Sequence, residues 1–277
     1  LEAVCLQRVA GIDNVDDLGS QGEWPSHPEL LDWLAADFRS DWDIKRLIRQ
    51  IVSSDTYRQA AAVRDDLKDI DPYNRLLSQQ SPRRLPAELV RDNALAIAGL
   101  INLDRIGGPS VFPYQPAGYY SNLQFPNRVY VADTDRDQYR RGVYMHWQRT
   151  FLHPMLVNFD APARDECAAD RPLSNRPQHA LTLLNDPTFV EASRALAERL
   201  INTGDEDIDS WIDTAFDLAV ARDAVDSERR GLRGLFDRQL EHYRSDPAAV
   251  EAIVGVGMAD TEIDREQWPT LAALTQV

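Results

Sequence analysis

The sequence predicts a mainly α protein, a helical domain interrupted by an irregular central segment rich in proline, glycine and aromatic residues. Three observations carry this reading. Apolar residues recur at helical spacing behind recognisable caps in both halves of the chain. The pairs Asp186-Pro187 and Asp246-Pro247 each set a capping carboxylate ahead of a proline, which suits the first turn of a helix. Between the halves, residues 107–127 read GGPSVFPYQPAGYYSNLQFPN, with four prolines, three glycines and five aromatics. Prolines restrict the backbone and aromatic rings seek burial, so this stretch is a rigid wedge and not a flexible linker.

The elements follow in order. Ser26-His27-Pro28-Glu29 has the spacing of a capping box, with Ser26 as the expected cap and Leu30, Leu31, Trp33, Leu34 and Phe38 as the apolar stripe behind it. Asp43 is expected to cap a second helix in which Ile44, Leu47, Ile48, Ile51 and Val52 keep a 3.6-residue period. The charged run 64–71 reads as an exposed connection. A long helix is expected from about Pro86 to Leu103, with Leu89, Leu95, Ile97, Leu100 and Ile101 facing inward. Beyond the wedge a helix is expected over 137–151, stopping before Pro154. Asp186-Pro187 opens a helix running to about Asn202, and further helices are expected at 208–221, 227–244 and 247–254. As a domain plan, the chain reads as one helical domain over 1–277. It is helical at 26–104, irregular at 105–136, a helix with a polar segment at 137–176, and helical again at 177–277.

With 277 residues, 43% hydrophobic and 27% charged, the chain has globular composition and can bury a substantial core. Its net charge of −15 argues against a partner bound through a phosphate backbone, so no nucleic acid is expected. Of its 30 basic residues only Lys45 and Lys68 are lysines, a bias that fits either a GC-rich genome or a use for bidentate carboxylate pairing. No apolar run reaches the roughly 18 residues a membrane span needs. Leu1 to Val9 lack the pattern of a signal peptide, and without an initiator methionine the sequence reads as a processed protein or a fragment of a larger one. Cys5 and Cys167 stand outside any CxxC or CxxCH context, so zinc and c-type haem are not signalled within the chain. Two unpaired thiols, a disulfide and a reactive Cys167 all remain open.

Several polar constellations compete for a functional role. Glu88, Arg91 and Asp92 share one helix face, with Arg83 and Arg84 a turn earlier. They could bind a polar ligand or tune an acid–base pair, or they could pin the wedge to the helix. Tyr139, Arg140, Arg141 and Tyr144, with Asp160, Arg164 and Glu166, form a second group. Paired carboxylates such as Asp160 and Glu166 suit glycoside hydrolysis only across a cleft, and neighbouring arginines would lower their pKa values, which disfavours a general acid. Cys167 could act as a nucleophile beside His153 or His179, oriented by Asn175 or Asn185, or could simply pack as a thiol. Asn175, Gln178 and Asn185 complete the candidate polar site. The five histidines show no HxH or HExxH spacing, and no metal site is expected from them. Asp133, Asp135 and Asp137 alternate as in a Ca²⁺ loop, but Gln138 and Tyr144 fall where an EF-hand requires glycine and glutamate, which leaves only an irregular site open. Tyr114, Tyr119 and Tyr120, with Phe125 and Tyr130, either present a platform for sugar rings or a partner, or fill the core beneath the wedge.

Ordered blocks along the chain resemble the planctomycete-type domain of unknown function 1553. They are PSHPELLDWLA (25–35), SSDTYRQ (53–59), PRRLPAELVRDNALAIAG (82–99), GGPSVFPYQP (107–116), QYRRGVY (138–144), FDAPARDEC (159–167) and LTLLNDPTFVEASRALAERL (181–200). The resemblance runs from about Asp16 to beyond Ala219. It implies a module of a large extracytoplasmic protein, periplasmic or at the cell surface, that follows a companion domain of unknown function, often after a small c-type cytochrome domain and sometimes beside sugar-binding modules, with a link to polysaccharide use. Haem c would then belong to a neighbouring domain and no cofactor to this one. Where the family tends to read Thr-Asn-Thr-Pro-Leu-Gln, this chain has Ser174-Asn175-Arg176-Pro177-Gln178-His179. Its glycine-rich entry is only loosely matched by residues 8–12, and the chain stops shortly before the family's usual terminal helix. The expected function is a non-catalytic scaffold or interaction module, glycan-associated. The alternative is a hydrolase or redox component acting on polysaccharide through a carboxylate, arginine and cysteine pocket.

Overall fold

The computed structural model describes residues 22, 24–62, 65–80, 84–122, 129–149, 151–165, 171–205 and 207–277. Cys5, Arg83, Phe125, Glu166 and Cys167 lie outside the described residues. The described residues are mainly α-helical, as the sequence predicts, and the chain forms two compact units. One comprises residues 1–84 and 166–171, the other 85–165 and 172–277.

In the first unit, α1 (Pro28–Phe38) and α2 (Ile44–Val52) pack through Leu34, Phe38 and Leu47. The cap of α1 is His27, without a side-chain bond, and not Ser26, whose hydroxyl sits 2.9 Å from His27 Nδ1. Asp43 does cap α2, accepting from the Arg46 N–H at 3.0 Å. Arg46 also grips Asp37 at 2.6 Å and Asp41 at 2.7 Å, fixing the turn between the helices. Only Leu47 of the apolar set on α2 is buried, and Ile44, Ile48 and Val52 are 49, 53 and 42% exposed.

The second unit holds α3 (Ala87–Ala98), α4 (Pro154–Asn158), α5 (Pro177–Asn185), α6 (Pro187–Ile201), α7 (Ile208–Val220), α8 (Asp226–Ser245), α9 (Pro247–Val254) and α10 (Trp268–Thr275). Asp186 caps α6 through the Thr188 N–H at 2.9 Å, and Asp246 caps α9 through the Ala249 N–H at 3.0 Å, each with proline in the first turn. The centre is α10, in contact with α6, α8 and α9. Its Leu271, Ala272 and Ala273 are wholly buried among Leu200, Trp211, Phe236 and Tyr243. A helix that is apolar all round has no amphipathic stripe, so periodicity does not single it out.

The helix α3 ends at Gly99 and not near Leu103. Gly99 takes the left-handed conformation (φ 78°), and the Leu100 N–H turns back to Leu95 O at 2.8 Å, a glycine C-cap. Its inward face also differs from the expected one. Leu89 is 41% exposed, whereas Ala87, Glu88, Arg91, Asp92, Leu95 and Ala98 are buried.

The helix expected over 137–151 does not form. Short 3-10 turns at Arg136–Tyr139 and Gly142–Tyr144 alternate with extended backbone. Carbonyls that a helix would use internally are taken from outside it. Tyr139 O accepts from the Asn102 N–H at 2.9 Å, and Tyr144 O from the Val111 N–H at 2.8 Å. The irregular wedge thus extends to about residue 145, and isolated bridges join Asn102 to Arg140 and Val111 to Met145.

Candidate functional site

Within the second unit, Arg91 of α3 and Arg140 of the wedge close on main-chain oxygens. Arg91 is fully buried and donates from Nη1 to Arg140 O at 2.7 Å and from Nη2 to Gln138 O. Arg140, also fully buried, donates to Pro109 O at 3.0 Å and to Gly107 O. Its guanidinium lies 3.6 Å from Asp137 and over the Tyr144 ring. Asp92 accepts from the Gly142 N–H at 2.5 Å, with Arg141 at 3.9 Å. A planar fork of donors suits several carbonyls at once, which explains arginine where a buried irregular backbone leaves its oxygens unmatched. Burial pulls Arg91 down to about 10, against the opposing charges of Asp92 and Asp186. Burial likewise raises Asp92, although the Gly142 N–H and the charge of Arg91 act the other way.

Next to this lies a group organised by Glu191, which sequence reasoning missed. Glu191 is fully buried on α6, and its Oε1 accepts from the Tyr139 hydroxyl at 2.7 Å and from the Met258 and Ala259 N–H groups at 2.6 and 2.7 Å. Gly257, at φ 92°, makes this approach feasible, since a Cβ there would overlap the carboxyl group. Burial, then Glu191, holds the Tyr114 and Tyr139 hydroxyls well above their ordinary range. The available signal was weak: one glutamate at i+3 from Thr188 and i−3 from Arg194, on a helix face that also carries alanines.

His153 is buried at the start of α4. Its Nδ1 accepts from the Met155 N–H at 3.3 Å and its Nε2 meets Tyr114 O at 2.6 Å, so the proton sits on Nε2. Burial lowers its pKa to about 4, aided by the charge of Arg91 and opposed by the Tyr114 carbonyl. Asp186 is raised by burial, against the Thr188 N–H and Arg91.

A separate polar group surrounds Asp160, a left-handed residue (φ 59°) whose side chain is 5% exposed. It accepts from the Ser174 N–H at 2.7 Å and from the Ser174 hydroxyl at 2.6 Å, with Arg176 at 3.8 Å and His179 at 3.9 Å. The Ser174 hydroxyl bond, ahead of Arg176 and His179, holds the Asp160 carboxyl below the usual carboxylate range. His179 stacks on Phe159, and its Nε2 is buried without a hydrogen-bond partner. Serine, aspartate and histidine therefore meet with aspartate in the middle, and the imidazole does not bond to the hydroxyl it would have to activate.

The remaining predicted residues are dispersed. Arg84 is exposed in the first unit. Arg141 is half-exposed, and Arg164 lies over the Trp147 ring at 3.8 Å. Asn175, Gln178 and Asn185 are exposed, with Asn185 Nδ2 donating to Leu181 O at 2.7 Å. Tyr120 is buried, edge-on to Tyr130 and Phe151, and Tyr119 donates its hydroxyl to Leu152 O at 3.1 Å. Asp133 accepts from the Phe112 N–H, Asp135 from the Asp137 N–H, and Asp137 pairs with Arg105. Among the described residues no group of three or more His, Cys, Asp or Glu side chains is placed to hold a metal ion, and no helix is long and apolar enough to cross a membrane.

The family model described as PSD1, protein of unknown function (DUF1553), matches residues 10–236. No curated protein and no solved structure matches the chain.

Proposed function

Because the chain belongs to the DUF1553 family, we propose that it serves as a non-catalytic scaffold or interaction module of an extracytoplasmic multidomain protein. The observation that carries the reading is the outer face of α2, where Ile44, Ile48 and Val52 stand one turn apart and roughly half-exposed. An apolar stripe left open to water on an amphipathic helix suits a partner surface. The partner is a companion domain of the same polypeptide. The engagement of Arg91, Asp92, Arg140 and Asp160 by the backbone of their own chain also supports a structural role, since groups so engaged are not free for substrate.

The test is calorimetric titration of this chain with the companion region, beside a screen of oligosaccharides for binding and for release of reducing ends. Saturable binding to the companion region, lost in Ile48→Asp with the melting temperature retained, is expected. Glycan association would appear as binding without turnover. Turnover abolished by Asp92→Asn or Asp160→Asn would overturn the reading in favour of a hydrolase.

A further inference from the structure

Val254, at the end of α9, and Ile263, ahead of α10, are both core residues. Between them no residue of 255–262 is buried. Among the described residues, the hydrogen bonds that tie this segment to anything but the end of α9 come from two side chains of α6. Glu191 Oε1 accepts from the Met258 and Ala259 N–H groups at 2.6 and 2.7 Å, and Arg194 Nη2 donates to Ala259 O at 2.5 Å. The two anchors are buried, opposite in charge and three residues apart on one helix, yet no ion pair joins them. Each also keeps one polar atom without a hydrogen-bond partner, Oε2 of Glu191 and Nε of Arg194.

We propose that residues 255–262 form a strap that opens and closes as a unit over Glu191, Tyr114 and Tyr139. In the closed state the strap's own amides occupy the carboxylate, which the Tyr139 hydroxyl also reaches at 2.7 Å, with the Tyr114 hydroxyl beside them. In the open state Glu191 and Arg194 pair with each other, because residues at i and i+3 are neighbours on a helix. Opening thus exchanges the strap bonds for an ion pair, which gives the segment the two discrete arrangements a switching element needs. A segment with few buried contacts is also the kind that opens without global unfolding. Gly257 sets the closure. Its left-handed backbone (φ 92°) and missing side chain let the strap come down on the carboxyl group, which a Cβ there would overlap. The strap therefore decides whether a carboxylate flanked by two phenol hydroxyls is covered or accessible.

Amide exchange of the full chain, followed by NMR at rising but subdenaturing urea, tests this. Met258 and Ala259 are expected to exchange at least about tenfold faster than the slowest amides of α10, at rates that urea leaves unchanged, since a local opening exposes little surface. Gly257→Ala should accelerate both by a common factor of about ten or more and leave the α10 amides as they were. It should also let tetranitromethane nitrate Tyr139, which the closed strap protects in wild type, with the product read by mass spectrometry. If Met258 and Ala259 in wild type exchange no faster than the α10 core and rise with urea in step with it, the proposal is overturned, whether or not the alanine variant folds. Acceleration of the α10 amides as large as that of the strap in Gly257→Ala also overturns it, because the segment is then part of the core.

Discussion

Gly142 lies against Glu88 so closely that a Cβ at position 142 would stand 2.7 Å from the Glu88 carbonyl oxygen and 2.9 Å from its Cα. The wedge meets α3 backbone to backbone here, and this places the Gly142 N–H within reach of Asp92. Gly142→Ala is therefore expected to destabilise the protein by about 2–3 kcal/mol, because backbone cannot yield as a flexible side chain can. Gly231, within α8, has nothing within 4 Å of such a Cβ. There alanine should stabilise by about 0.5–1 kcal/mol. Urea unfolding of the two variants checks both signs.

Arg91→Lys keeps the charge but loses the fork. One ammonium cannot reproduce the paired bonds to Gln138 O and Arg140 O. A loss of roughly 2–4 kcal/mol is expected from the stranded carbonyls. Hydrogen exchange should accelerate at the Asn102 and Gly142 amides, which bond to Tyr139 O and Asp92. Unchanged protection at both would show that the guanidinium does not hold the wedge.

Stability should depend on pH through His153. Its folded value of about 4 lies below the ordinary 6.5, so the unfolded chain binds the proton more readily in that window. Stability is then complete above pH 6.5 and falls by roughly 3 kcal/mol as pH drops toward 4. The raised carboxyls of Asp92 and Asp186 act with the opposite sign. The difference between wild type and His153→Gln isolates the histidine. It should shrink steadily between pH 7 and 4.5.

Asp160 combines a left-handed backbone with two bonds to Ser174. Asparagine tolerates that conformation and keeps an acceptor, whereas alanine does neither. The expected order of stability is wild type, Asp160→Asn, then Asp160→Ala, with the last about 2 kcal/mol below wild type. Limited proteolysis should cut Asp160→Ala fastest near residues 171–176.

Local signals were readable in the sequence. Asp43, Asp186 and Asp246 cap the helices expected of them, because an aspartate ahead of a helix acts on its own next few amides. The orientation of α3 was not readable. Periodicity assumes that charges face water, and here Arg91 and Asp92 turn inward because the wedge brings unpaired carbonyls and an amide to them. Glu191 escaped for the same reason, since its partners at Met258 and Ala259 lie far along the chain. A side chain matched to a backbone group many residues away leaves no trace in spacing.

The seam between α3 and the wedge joins buried guanidinium groups to main-chain oxygens. Dissolved salt weakens the attraction between exposed opposite charges, but a charge held against a dipole in a dry interior offers mobile ions little to shield. High salinity should slacken the surface pairs Arg229–Asp213 and Arg233–Asp209, which tie α8 to α7, and leave the seam as it was. The pairing of α7 with α8 is thus sensitive to its ionic surroundings, and the buried guanidinium seam is indifferent to them.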